Sequence, residues 1–233
     1  DKAITHSVEN TNVVINGGSI TKSVVGGTGA SDNLEVTRIN KNAVASVTIN
    51  GGFFGVAGEV GNTTELFVLG GDLMKHRGGF KNDPKDPDLS DAYAESEIGA
   101  THVTIKDGTF NSAIVGGSAA IVYYGNANKG AKTTVGTTNV TIEGGTFNHA
   151  IVAGGLASGH KTHSFVTEAN LSVIAKDKAL VVNDSIFAGG VRRMDSLGGS
   201  GGSVKVDHAT VRVEGVKVEG GIYGTHAALT GTQ

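Results

Sequence analysis

The chain has 233 residues, a formal net charge of −3, 37 glycines, no cysteine and no tryptophan. Disulfides, thiolate metal sites and a cysteine nucleophile are excluded, and nothing in the charge balance advertises a nucleic-acid partner, which usually needs a basic face, so none is expected. The glycines lack a collagen period, no apolar run reaches the roughly 20 residues of a membrane-spanning helix, and the 38% hydrophobic residues fall in short β-branched runs able to build a core.

The chain starts at Asp1 without a secretory-signal pattern and reads as a mature protein or a piece of a longer one. The first predicted strand pair is "NVVINGGSITKSVVGG" (12–27), with Val13, Ile15, Ile20, Val24 and glycine pairs at 17–18 and 26–27. A second copy opens as "VTINGGFF" (47–54), is interrupted by "GVAGEVGNTTEL", and closes as "FVLGG" (67–71). The third and fourth are nearly the same phrase, "HVTIKDGTFNSAIVGG" (102–117) and "NVTIEGGTFNHAIVAGG" (139–155). Two worn copies follow: "NLSV" (170–173) with "SIFAGG" (185–190), then "TVRVEGVKVEGGIYG" (210–224). A period of two in the apolar residues means strand. The double glycines read as fixed corners, because glycine accepts positive φ.

One copy cannot bury its own apolar face, so the copies are expected to stack, like over like. Three ladders follow. They are Ile15, Ile49, Ile105, Ile142, Val173, Val213; then Ile20, Phe54, Phe110, Phe147, Val218; then Val24, Phe67, Ile114, Ile151, Ile186, Ile222. The expected fold is all-β: one repeat domain over 1–233, a right-handed parallel β-helix (a solenoid) of about six rungs. Further strand-like runs at 34–39, 119–124, 163–166 and 203–208 suggest a third strand per rung. They also keep a β-propeller or β-sandwich as alternatives. The one helix expected is 89–99, capped by Ser90.

Candidate functional residues lie where the grammar breaks. The longest insert, 74–100, should bulge from a corner and carries Asp83, Asp86, Asp88 and Asp91. Oxygen-rich loops suit Ca2+, but the spacing is not that of an EF-hand, so a solvated acidic loop is the favoured reading and no cofactor is expected. Tyr123 and Tyr124 sit beside Asn126, Asn128 and Lys129, and Arg192 and Arg193 follow a glycine pair; each pair is a candidate contact. His160 and His163 have no third ligand near in sequence, which favours a surface loop over zinc. The residues closing each first strand, Asn16, Asn50, Lys106, Glu143 and Glu214, are mixed in type and make no catalytic carboxylate pair. No enzyme is expected; a β-helix polysaccharide lyase or hydrolase is the alternative.

The phrase "VTIxGGTFxxAIVxGG", in a cysteine-free and weakly charged background, resembles the passenger region of Gram-negative autotransporters and related β-helical surface adhesins. The resemblance covers roughly 10–225 outside the inserts and carries over no functional residue. It implies a bacterial cell-surface or secreted protein that binds a surface protein or glycan of a host or neighbouring cell, with self-association through solenoid ends or faces. A stalk segment without its own ligand is the alternative.

Overall fold

Twenty-four strands and no helix are found among the described residues of the computed structural model, which are 2–30, 36–56, 67–76, 93–122, 130–159, 161–194, 202–224 and 227–230. The strands form four six-stranded sheets. The first holds the long strands β1 (Lys2–Ile15), β5 (Val36–Ile49), β9 (Ala94–Ile105), β13 (Ala131–Ile142), β17 (His163–Ile174) and β21 (Ser203–Glu214). The second holds β2 (Ser19–Ile20), β6 (Phe53–Phe54), β10 (Thr109–Phe110), β14 (Gly145–Phe147), β18 (Leu180–Val182) and β22 (Lys217–Val218). The third holds β3 (Val24–Val25), β7 (Phe67–Leu69), β11 (Ala113–Val115), β15 (Ile151–Val152), β19 (Ile186–Phe187) and β23 (Ile222–Tyr223). The fourth holds β4 (Gly29–Ala30), β8 (Leu73–His76), β12 (Ala119–Val122), β16 (Leu156–Ser158), β20 (Val191–Met194) and β24 (Ala227–Thr230). Each of β1–β20 pairs in parallel with the strand four places on, so the antiparallel hairpins of a propeller or sandwich are not what these sequences form.

The first ladder is in register throughout: Ile15, Ile49, Ile105, Ile142, Val173 and Val213 are successive partners. The second gains a member, because Val182 pairs with both Phe147 and Val218. Its rings stack: Phe54 on Phe110 and Phe110 on Phe147, each with centroids 4.7 Å apart. In the third ladder Val68 holds the place expected for Phe67, which pairs instead with Ala113. With Ile98, Val103 and Val140, these columns make the main core.

Three further expectations are corrected. Each repeat has four strands, not three: of the runs expected as third strands, the described residues 36–39, 163–166 and 203–208 open long strands, and only 119–122 lies in the fourth sheet. The helix expected over 89–99 is strand from Ala94 onward, because Ala94, Ser96 and Ile98 alternate inward with period two. The break at 74–100 is accordingly narrower, since β8 runs to His76 and β9 starts at Ala94.

The long strands share a feature absent from the short ones. Ala43, Gly99, Gly136, Thr167 and Asp207 stand unmatched between paired neighbours, and burial switches phase across them. Ile98 and Thr101 both point in, with Gly99 and Ala100 between them. An irregularity therefore recurs at the same place in consecutive strands, with equal residue counts on both sides so that the register is kept.

The corner after the first sheet needs glycine: Gly18, Gly52, Gly108 and Gly145 hold φ between 97° and 136°. The other glycine pair is not a fixed corner. Backbone bonds place Gly27, Gly71, Gly117, Gly154 and Gly189 in one column, so the pair is 26–27, 70–71 and 116–117 but 154–155 and 189–190. It slides by one residue, with Ala153 and Ala188 taking the first place.

Candidate functional site

The glycine slide is a packing response. In the early repeats the residue after the pair is polar and turns its side chain inward beneath the long sheet: Thr28, Asp72 and Ser118. A Cβ on Gly27 would run into Asp72 Oδ1, and one on Gly71 into Ser118 Oγ, so glycine makes room for the polar group one repeat later. In later repeats the same position is Gly155 or Gly190, and the space is filled from the other side by Ser164 or Val204.

Asp72 is the most buried acid of this corner and is fully sequestered from solvent. Its Oδ1 accepts from Thr28 N at 2.5 Å and Asn42 Nδ2 at 2.9 Å, and its Oδ2 accepts from Ser96 Oγ at 2.6 Å. Its own N–H donates to Ser118 Oγ at 3.0 Å. Asp72 and Ser118 thus each satisfy the backbone N–H of the corner one repeat before, a group that would otherwise be orphaned. Burial pushes the Asp72 carboxyl above the ordinary carboxylate value, and the Ser96, Thr28 and Asn42 hydrogen bonds only partly offset it. Closed off from solvent, this carboxylate closes a corner; it does not meet a ligand.

The outer face of the long sheet is a polar array. Ser46, His102, Asn139 and Asn170 form one column, and Thr48, Thr104, Thr141 and Ser172 form another two residues along. Ion pairs on this face tie one repeat to the next: Lys41 to Glu97 at 3.9 Å and Lys132 to Glu95 at 2.9 Å. On neighbouring corners Lys178 reaches Asp107 at 2.5 Å and Lys176 pairs with Glu143. The Lys178 hydrogen bond holds the Asp107 carboxyl below its ordinary value. Past the second sheet an asparagine ladder climbs the stack: Asn148 Nδ2 donates to Asn111 Oδ1 at 2.6 Å, and Asn183 Nδ2 to Asn148 Oδ1 at 2.7 Å.

No protein-family model matches the chain, no curated protein matches its sequence and no solved structure matches it.

Of the residues singled out from sequence, Asp83, Asp86, Asp88, Asp91, Tyr123, Tyr124 and His160 lie outside the described residues. Arg192 and Arg193 are consecutive positions of β20, paired with Ala157 and Ser158 of β16. Arg192 is half-buried there, and the side chain of Arg193 lies outside what the structure describes. His163 Nδ1 lies 2.8 Å from Ser203 Oγ, a bond between neighbouring long strands. Among the described residues no group of three or more His, Asp or Glu is placed to hold a metal. Sequence reasoning missed Asp72 and the outer columns. The phase of "SVTI", "HVTI" and "NVTI" carried the signal for the columns, because it sends one Thr of each copy outward.

Proposed function

We propose that the chain is a right-handed parallel β-helix belonging to the passenger type of bacterial surface adhesins, attaching through its lateral faces and insert loops to a surface protein or glycan of another cell. One observation carries the reading: six four-strand repeats pair in parallel and in a continuous register while the connections between strands take up most of the variation in length. A framework that constant, interrupted at set corners, suits extended binding along its flank. The outer columns of Ser, Thr, Asn and His supply closely spaced donors and acceptors of the kind that hydroxyl-rich ligands take up.

Removing residues 77–92, with a short Gly-Ser bridge from His76 to Tyr93, tests the reading without touching β8 or β9. Binding of the purified chain to cells or matrix should fall while the melting temperature stays within a few degrees. Unchanged binding would move the contact to the outer face of the long sheet, where Thr104→Lys with Thr141→Lys should then abolish it. Binding that survives both changes contradicts the adhesin reading. The stalk reading has its own support in the lysine–carboxylate pairs of the flank, which tie one repeat to another.

A further inference from the structure

The outer face of the long sheet carries more than its polar columns. On β17 the rings of His163 and Phe165 lie near-parallel, with centroids 6.1 Å apart and planes within 11° of each other. Both side chains are half-buried. They point outward, because Ser164 and Val166, which alternate with them, are buried. Strands cover them on both sides: His163 and Phe165 pair with Lys132 and Thr134 of β13, and with Ser203 and Lys205 of β21. The core does not need these rings, since Val166, Leu171 and Val173 already fill the inward places of β17.

The surroundings narrow what the rings accept. The neighbouring lysines are matched: Lys132 pairs with Glu95 at 2.9 Å and Lys205 with Asp207 at 2.6 Å. An anion would have to displace one of these carboxylates, so the patch suits an uncharged ligand. The apolar area is a single phenyl ring with a histidine beside it, bordered by Thr134 and Thr167, too small for a hydrophobic partner surface. His163 Nδ1 is engaged by Ser203 Oγ at 2.8 Å, which leaves Nε2 for a ligand. Beside the rings, toward the Asn139–Asn170 column, the outward places of the three preceding repeats are Ala43, Gly99 and Gly136. They form a low lane along the stack. A Cβ on Gly99 would come within 2.7 Å of the Ala43 carbonyl oxygen, and one on Gly136 within 2.4 Å of that of Gly99, so the lane cannot carry side chains without moving the backbone.

A pyranose ring has the matching make-up: one face of C–H bonds, a rim of hydroxyls and no charge. Its C–H face meets the negative face of an aromatic ring, and its hydroxyls both donate and accept, as the flanking Thr and Asn side chains do. We propose that the His163–Phe165 pair is a subsite for one sugar of a neutral linear glycan, whose chain follows the Ala43–Gly99–Gly136 lane along the stack. The proposal rests on the lateral-attachment reading above and names its ligand class.

Binding of the purified chain to immobilised cellohexaose, xylohexaose, mannohexaose and chitohexaose tests it, with oligogalacturonate as the anionic counterpart. At least one neutral oligosaccharide should bind, with an affinity unchanged between low and high salt. Phe165→Leu keeps apolar volume and loses the ring face, and should weaken binding about tenfold. Phe165→Tyr should keep it. Phe53→Ala, which removes a half-buried ring from the second sheet, should bind as wild type. Circular dichroism and melting confirm that each variant is folded, and the tyrosine variant keeps the test valid if the leucine one is not. The proposal is overturned if no neutral oligosaccharide binds, if only oligogalacturonate binds, if Phe165→Leu binds as wild type, or if Phe165→Tyr binds no better than Phe165→Leu. Attachment to cells, measured on the same samples, keeps the two readings apart. Cells bound without any neutral glycan sink the subsite alone; a neutral glycan bound without cells sinks the attachment alone.

Discussion

Phe110 is fully buried between two other rings, and its replacement is the sharpest probe of the stack. Phe110→Leu keeps most of the apolar volume and deletes two stacked ring pairs. At about 0.5–1.5 kcal/mol per pair, it should cost about 1–3 kcal/mol. Phe110→Ala also opens a cavity that β10, pinned on both sides, cannot collapse, and should cost about 3–5 kcal/mol. Against a total stability of about 5–15 kcal/mol, the second variant should stand near the edge of folding. Urea unfolding followed by circular dichroism reads both as a falling midpoint with a constant slope. Tyr223→Leu is the control: its ring stacks on Phe187 at 5.1 Å but is half exposed at the last repeat, and the cost should stay below about 1 kcal/mol. The reasoning fails if Phe110→Ala costs less than about 1.5 kcal/mol, or no more than the leucine variant.

Three further outcomes are expected. Asp72 has its carboxyl raised above 3.8 chiefly by burial, so the native state holds that proton more tightly than the unfolded chain. Its contribution is full below the unfolded value and is lost as pH rises through the raised folded value. Asp72→Asn keeps an acceptor for Thr28 and Asn42 and can donate to Ser96; it should therefore melt higher than wild type at neutral pH, with the gain vanishing in acid, and a pH-independent difference would contradict this. Asn148→Ala breaks two rungs of the asparagine ladder and should cost about 1–3 kcal/mol in thermal or urea unfolding. Lys178→Ala removes an exposed partner of Asp107 and should cost under about 1 kcal/mol, disappearing in high salt.

The sequence carried most of the stacking and little of the site. The column from Ile15 to Val213 was legible because β-branched residues alternate with polar ones and leave a single phase. The slip at Phe67 came from two adjacent hydrophobes that both suit an inward place. Counting back two residues from Gly70, as Val24 stands two before Gly26, selects Val68. Val182 was missed because no glycine pair precedes its strand. The fourth sheet hid in small-residue runs such as Leu156–Ser158, whose burial comes from neighbours above and below. The irregularity in the long strands was recorded as a phase change between Ile98 and Thr101, which reads as noise until aligned with Val135 and Thr138. Asp72 looked like an ordinary turn acid. Only the third dimension places Asn42, 30 residues before it, and Ser96, 24 after it, against its carboxylate.

The account depends on each repeat lying in register on the next, and the cysteine-free chain allows that to be measured by crosslinking. Thr104 and Thr141 are partners on neighbouring strands, with Cα atoms about 4.8 Å apart by strand spacing, inside the range a disulfide spans. Thr104 and Ser172 are two strands apart, about 9.6 Å, and beyond it. Oxidation of the folded Thr104→Cys/Thr141→Cys chain should give an intramolecular cystine detectable by mass spectrometry, whereas Thr104→Cys/Ser172→Cys should keep two free thiols. A first pair that stays reduced, or a second that closes as readily, would contradict the stacking and the proposals built on it.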